Sequence, residues 1–166
     1  MATKDYSSIQ ENRIANALNW KVVPGSGARP MNVGDVVSDN WVGECKTHVE
    51  PGHKIVFKFD VWRKIFEEAA SCFKQPVMFV DDGSQLLDNT WCLFAPHGYY
   101  GEFLLVDYPY TIRSNILFES GALYKHMKSQ SAVYPVIYQV VLSKSVAETV
   151  HLCHFSSFLK LFNRGE

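Results

Sequence analysis

Asp35, Glu44 and Lys46 are the residues whose types and spacing could do chemistry together. A pair of carboxylates can hold a hard divalent cation, which prefers carboxylate, water and phosphate oxygens. A lysine beside them can orient an attacking water and stabilise charge developing on a phosphate. Phosphodiester hydrolysis needs those parts.

Their geometry depends on a hairpin. The apolar runs Val33 to Ser38 and Trp41 to Lys46 flank Asp39-Asn40, which can form a two-residue turn. That turn pairs Ser38 with Trp41, Val37 with Val42, Val36 with Gly43, and Asp35 with Glu44. Pairs alternate outward from the turn, so Asp35 and Glu44 are expected as a non-hydrogen-bonded pair, with Cα atoms about 4.5 Å apart. Two carboxylates there repel unless a cation lies between them. Lys46 follows Glu44 by two residues and shares its face. A Glu-x-Lys on a strand is ordinarily a surface ion pair. Here Val36, Val37, Trp41, Val42 and Cys45 make both faces of the hairpin apolar, and buried strands rarely carry Asp, Glu and Lys without a reason.

The surrounding pattern is that of one α/β domain. Ser8 to Glu11 has capping-box spacing and starts a helix over 7–19, with Ile14 and Leu18 at helical spacing. Residues 24 to 32 are a loop. A short strand over 55–59 leads to a helix from Asp60 to about Phe73, with apolar stripes at Val61, Ile65, Ala69 and at Trp62, Phe66, Ala70. Pro76 to Val80 reads as a buried strand. Strands are expected over 90–95, 103–107 and 133–142. Helices are expected over 114–128 and, in one or two pieces, over 146–162.

At 166 residues, with 47% hydrophobic and 20% charged, the chain can bury a core and is not disordered. The net charge of -1 counts against a general basic field, so any DNA surface must come from local clusters of Lys and Arg. Cys45, Cys72, Cys92 and Cys153 form no CxxC pair, and no long apolar run or secretory leader is present. A cytoplasmic protein with reduced thiols and no membrane association is expected. His151, Cys153 and His154 match no familiar zinc spacing. Asp81-Asp82-Gly83 reads first as a turn, and Tyr99, Tyr100, Tyr108 and Tyr110 as packing before base stacking.

The ordered set Gly25-Ser26-Gly27-Ala28-Arg29, Gly34-Asp35-Val36-Val37 and Glu44-Cys45-Lys46-Thr47 resembles the PD-(D/E)xK nucleases. The match is best to the Holliday junction resolvase branch and its phage-encoded relatives. It covers roughly residues 7 to 80; Gly34 stands where proline is commoner, and 85–166 matches nothing nameable. The resemblance implies a restriction-endonuclease-like core, a mixed central β-sheet flanked by helices. Residues 1–84 carry the catalytic motifs, and 85–166 complete the fold or form a family-specific extension. It further implies Mg²⁺ or Mn²⁺, a product with a 5'-phosphate, and a homodimer, because a four-way junction needs two cuts and a two-fold dimer matches it.

By this resemblance Glu11, preceded by Gln10, is the third metal-side carboxylate; it also fits as the capping-box partner of Ser8. Ser26 is a phosphate contact or a plain turn residue. Arg29 would grip a phosphate from its loop. Arg13, Lys54, Lys58, Arg63 and Lys64 surround the motif and are candidates for the DNA track, each also readable as a surface charge. The expected function is a metal-dependent endonuclease on branched DNA, first a four-way junction. Its rivals are the same chemistry on flaps, nicks or duplex ends, a non-catalytic DNA-binding or assembly module, and a structural α/β protein with a coincidental motif.

Overall fold

The two-residue turn forms as the spacing predicts, and its hairpin lies inside a much larger sheet. The structure, a computed structural model, describes residues 3–25, 33–96, 98, 101–143 and 148–162. The elements are α1 (Thr3–Leu18), β1 (Lys21–Val22), β2 (Val36–Val37), β3 (Trp41–Lys46), β4 (Ile55–Lys58), α2 (Phe59–Ser71) and β5 (Gln75–Asp81). A 3-10 turn (Leu87–Asn89) precedes β6 (Thr90–Phe94), β7 (Leu104–Asp107), β8 (Asn115–Phe118), α3 (Ser120–Gln130), β9 (Val136–Ser143), β10 (Glu148–His154) and α4 (Phe155–Phe162).

Eight strands make one mixed sheet in the order β1-β2-β3-β5-β6-β10-β9-β7, and β4 pairs with β8 separately. β1, β2 and β3 are antiparallel neighbours. β3 and β5 are parallel, which requires a crossover; α2 supplies it. The expected α/β class, a mixed central sheet with flanking helices, is therefore present. The sequence beyond residue 85 continues this sheet, because β6 pairs with β5 and β10, β9 and β7 follow it, and β8 completes the separate pair with β4.

Strand alternation divides the core in two. Val42, Met78, Val80, Trp91 and Leu93 face a cluster containing Trp62, Ile65 and Ala69 of α2 and Leu123 and Met127 of α3. Trp41, Cys45, Val77, Phe79 and Phe94 face Ile14, Ala15 and Leu18 of α1 and Phe155, Phe158 and Leu161 of α4. Trp41 meets Phe158 at 5.4 Å and Phe162 at 5.1 Å, edge to face. The chain closes tightly around Gly43. A Cβ there would lie 2.7 Å from Val36 Cγ2 and 2.8 Å from Phe79 Cε2, both on fully buried side chains. Gly43→Ala should therefore destabilise by about 1–3 kcal/mol, the usual cost of overpacking, measured as a lower urea midpoint with an unchanged slope.

Several local expectations differ from the fold. The first helix begins at Thr3, so Ser8 is interior and its carbonyl accepts from Asn12 Nδ2 at 2.7 Å; no capping box forms. α2 begins at Phe59, and its first N–H goes to Asn115 Oδ1 of β8 at 3.3 Å rather than to Asp60. Its buried stripe is Trp62, Ile65 and Ala69, with Phe66 46% exposed. The helix expected over 114–128 divides into β8 and α3. Ile116 and Phe118 alternate inward because β4 pairs with them. The segment 146–162 divides into β10 and α4. Residues Val150 to Cys153 are buried on both faces, so the strand lacks the period-two signal that would separate it from a helix.

His154 on β10 serves the fold. Its Nε2 lies 2.7 Å from the Asp88 carbonyl and its Nδ1 2.7 Å from Ser156 Oγ. A carbonyl only accepts, so Nε2 carries the proton and Nδ1 accepts from Ser156. Cys92 and Cys153 oppose each other across β6 and β10 as buried thiols. Among the described residues, no helix is long and apolar enough to cross a membrane.

Candidate active site

Glu44 and Lys46 project from β3 toward the α2 face, beside Met78 and Val80 of the parallel neighbour β5. Lys46 Nζ lies 2.7 Å from Glu44 Oε1; the Lys46 side chain is half exposed and that of Glu44 mostly covered. The hairpin register Val36 to Gly43 and Val37 to Val42 is the expected one.

Beyond Val36 the ladder ends, and here the expected geometry needs correction. Gly34 has φ +70, and a Cβ there would meet Val42 Cγ1 at 2.5 Å, so the chain turns where only glycine fits well. Asp35 N–H donates to the Gly43 carbonyl at 2.8 Å, and the Asp35 carbonyl accepts from Val23 N–H at 2.9 Å. The Asp35 carboxylate accepts the Cys45 N–H on Oδ2 at 2.8 Å. Asp35 thus reaches Glu44 as a side chain laid across β3 rather than as its ladder partner.

α1 brings the third carboxylate. Gln10 Nε2 donates to the Lys46 carbonyl at 2.7 Å, and Arg13 Nη1 donates to the Gln85 carbonyl at 2.6 Å. These bonds tie the helix to the end of β3 and to the loop after β5 and hold Glu11 near Asp35 and Glu44. Burial, then Asp35 and Glu44, raise the Glu11 carboxyl from its usual 4.5 to about 7, against a smaller lowering by Lys46. Glu44 is also raised, by burial first and then by Asp35, while Lys46 opposes the shift. For Lys46, burial lowers the pKa, but Glu44 and Asp35 outweigh it and the net direction is upward. The ammonium is therefore charged across the neutral range.

The donor set fits a hard divalent cation. Three carboxylates share one bonded lysine, so negative charge is in excess, and all available side-chain donors are oxygen. As the side chains stand, no group of three or more His, Cys, Asp or Glu among the described residues is arranged to hold a metal ion. Glu44 is committed to Lys46 through Oε1, and Asp35 to Cys45 through Oδ2.

The strained charge has a consequence for pH. A carboxyl whose folded pKa exceeds its unfolded value binds more protons folded than unfolded, so stability falls as pH rises through that interval. For Glu11 the interval runs from 4.5 to about 7. In EDTA, Glu11→Gln should stabilise the protein at pH 8 by on the order of 1 kcal/mol, discounted for partial exposure, with no difference at pH 4. Urea titrations at the two pH values check this.

Of the expected DNA contacts, Lys58 shares a surface cavity with Lys46, and Lys64 acts on Glu44 through space. Lys64 also lies 3.8 Å from Glu68. Lys54 and Arg63 are exposed. Arg13 gives one donor to Gln85, and a guanidinium has others left for a phosphate. Ser26 and Arg29 lie outside the described residues, as do Tyr99 and Tyr100. Sequence reasoning quoted Gln10 only as the neighbour of Glu11 and missed its bond behind Lys46. It also missed Thr47, which donates to the buried Asp81 Oδ1 at 2.6 Å, and the stacked rings of His48 and His53. Nothing in their spacing signals those contacts, because β5 and the loops bring the partners together. No family model, curated protein or solved structure matches this chain.

Proposed function

We propose that this protein is a metal-dependent DNA endonuclease that hydrolyses phosphodiester bonds, with a four-way junction as its first substrate. One observation carries the reading: carboxylates from α1, from the turn before β2 and from β3 lie near enough to act on one another through space, the last of them bonded to Lys46, and their mutual repulsion adds to burial in pushing Glu11 to about 7. Structural carboxylates are rarely gathered at such a cost, whereas sites that work on charge often are. The order helix, hairpin, crossover helix and buried parallel strand supports the same reading, since it is the order the family resemblance implies.

Glu11, Asp35 and Glu44 would hold the ion, Mg²⁺ or Mn²⁺. Bound there, the ion supplies charge neutralisation on the phosphate and a more acidic water. Lys46 stays protonated, held by Glu44, and donates to the attacking water or to a phosphate oxygen where charge grows. Glu44 can orient Lys46 with one oxygen and still offer the other. Asp35 is aimed by the Cys45 N–H, so its carboxylate is set before substrate arrives. Arg13, Lys54, Lys58, Arg63 and Lys64 are the proposed phosphate contacts, and junction cutting requires a homodimer.

The test is cleavage of end-labelled four-way junction, flap and linear duplex DNA in Mg²⁺ and in EDTA, with sedimentation to establish whether two copies associate. Paired symmetric nicks on the junction alone, abolished by EDTA, are expected. Equal cleavage of all three substrates keeps the nuclease and removes the junction preference. Absence of metal-dependent cleavage on every substrate overturns the reading and leaves a DNA-binding or assembly module.

A further inference from the structure

We infer that the cavity beside Lys46 receives one unpaired nucleotide of the DNA, base inward, with its phosphate between Lys46 and Lys58. This rests on the nuclease reading and names a substrate feature that the carboxylate cluster alone does not. The cavity measures about 180 Å³. Its floor is Val56, Met78 and Val80, and its rim carries Lys46, Lys58 and His48. The register Glu44 to Met78 and Lys46 to Val80 sets the floor directly against the catalytic pair. Val56 and Lys58 alternate onto one side of β4, so that strand contributes both floor and charge.

Size, lining and charge select the occupant. Pockets for drug-sized ligands run about 300–1,000 Å³, so this one suits a single small ring system. An apolar floor removes a base from water, and the imidazole of His48, stacked on His53 at 4.2 Å, adds an aromatic lining residue. Two lysines match the phosphate that any such base carries. A base inside a duplex has its faces stacked and its edge paired, so only an unpaired or extruded one can enter. A backbone phosphate alone would use the lysines and leave the partly exposed Val56 side chain in water. Branch points supply nucleotides that are cheap to unstack, which connects the cavity to the proposed substrate.

The experiment compares two duplexes identical except that one 2-aminopurine nucleotide is bulged in the first and paired in the second. Binding and 2-aminopurine fluorescence are measured in Ca²⁺ for the wild type, Val56→Trp and Lys58→Ala. The wild type should bind the bulged duplex about tenfold more tightly, the scale of one stacked base, with a fluorescence change on binding. Val56→Trp fills the cavity and should bring the preference close to one. Lys58→Ala, at an exposed position, should weaken the bulged complex more than the paired one, which covers a misfolded tryptophan variant. Equal wild-type affinity for both duplexes, or a preference that survives both substitutions, overturns the inference. This readout is independent of cleavage: binding preference without metal-dependent cutting sinks only the nuclease reading, cutting without preference sinks only the cavity, and binding of neither duplex sinks both.

Discussion

Lys46→Ala is expected to lower the single-turnover cleavage rate by about 10²–10³-fold, the usual loss when one preorganised donor to a developing oxyanion is removed. Lys46 is bonded to Glu44 Oε1 at 2.7 Å, and its pKa is shifted upward. The ammonium is thus present across the neutral range and already held by Glu44. Its removal also leaves Glu44 more strongly raised, because Lys46 lowers it both by hydrogen bond and by charge. The effect on stability should be small. The Lys46 side chain is 50% exposed, and exposed pairs contribute about 0–1 kcal/mol. A large rate loss with an almost unchanged melting temperature separates catalysis from folding. Lys46→Arg keeps the charge but not the compact ammonium, so it should recover only part of the rate. An unchanged rate in the alanine variant would remove Lys46 from the mechanism.

The second large effect concerns the ion and Asp35. Wild-type protein should melt higher in Mg²⁺ or Mn²⁺ than in EDTA, by about 2.7 kcal/mol when the ion is at a hundred times its dissociation constant. For a chain of this size that is several degrees, at about 2–4 °C per kcal/mol. Asp35→Asn should lose most of that shift. It should also be at least as stable as the wild type in EDTA, because Asp35 raises both Glu11 and Glu44, and an asparagine oxygen can still accept the Cys45 N–H. Differential scanning calorimetry of both proteins in metal and in EDTA gives the four values needed. A structural α/β protein with a coincidental motif shares the EDTA result and shows no metal shift, so the metal arm decides between them.

The calorimetric pair also bears on how the site is built. The cluster is costly because its parts come from elements that burial holds together for other reasons. Ile14 and Leu18 seat α1 under the sheet, and Gln10 and Arg13 bond its middle turns to the Lys46 and Gln85 carbonyls. Trp41 and Cys45 anchor one face of β3 while Glu44 and Lys46 occupy the other. The backbones that carry the carboxylates cannot move apart without disturbing that packing.

Much of the hairpin was legible in sequence. A two-residue turn between apolar runs leaves one register that buries the correct side chains, so Val36 to Gly43 and Val37 to Val42 followed directly. The shared face of Glu44 and Lys46 followed from the two-residue repeat of a strand. The reading was poorer where one local pattern admits two structures. β10 reads as part of a helix because a wholly buried run has no diagnostic period, and β8 because its four residues are too short a run for their alternation to stand out beside the helix that follows; their partners β4, β6 and β9 make them strands. The Ser8 to Glu11 spacing suggested a cap, yet the helix starts at Thr3.

By itself, then, the sequence determined the α/β class, the turn at Asp39-Asn40 and the candidate residues Asp35, Glu44 and Lys46, because each depends on residue type and on spacing within one hairpin; Glu11 came from the family resemblance. Tertiary structure decided how those residues meet. The positive φ of Gly34 takes Asp35 out of the ladder and onto the Cys45 N–H, the bonds of Gln10 and Arg13 bring Glu11 to the cluster, and β4 and β5 complete the cavity beside Lys46. These are contacts between residues far apart in the chain, and the charge that strains Glu11 exists only once burial and three elements enforce it.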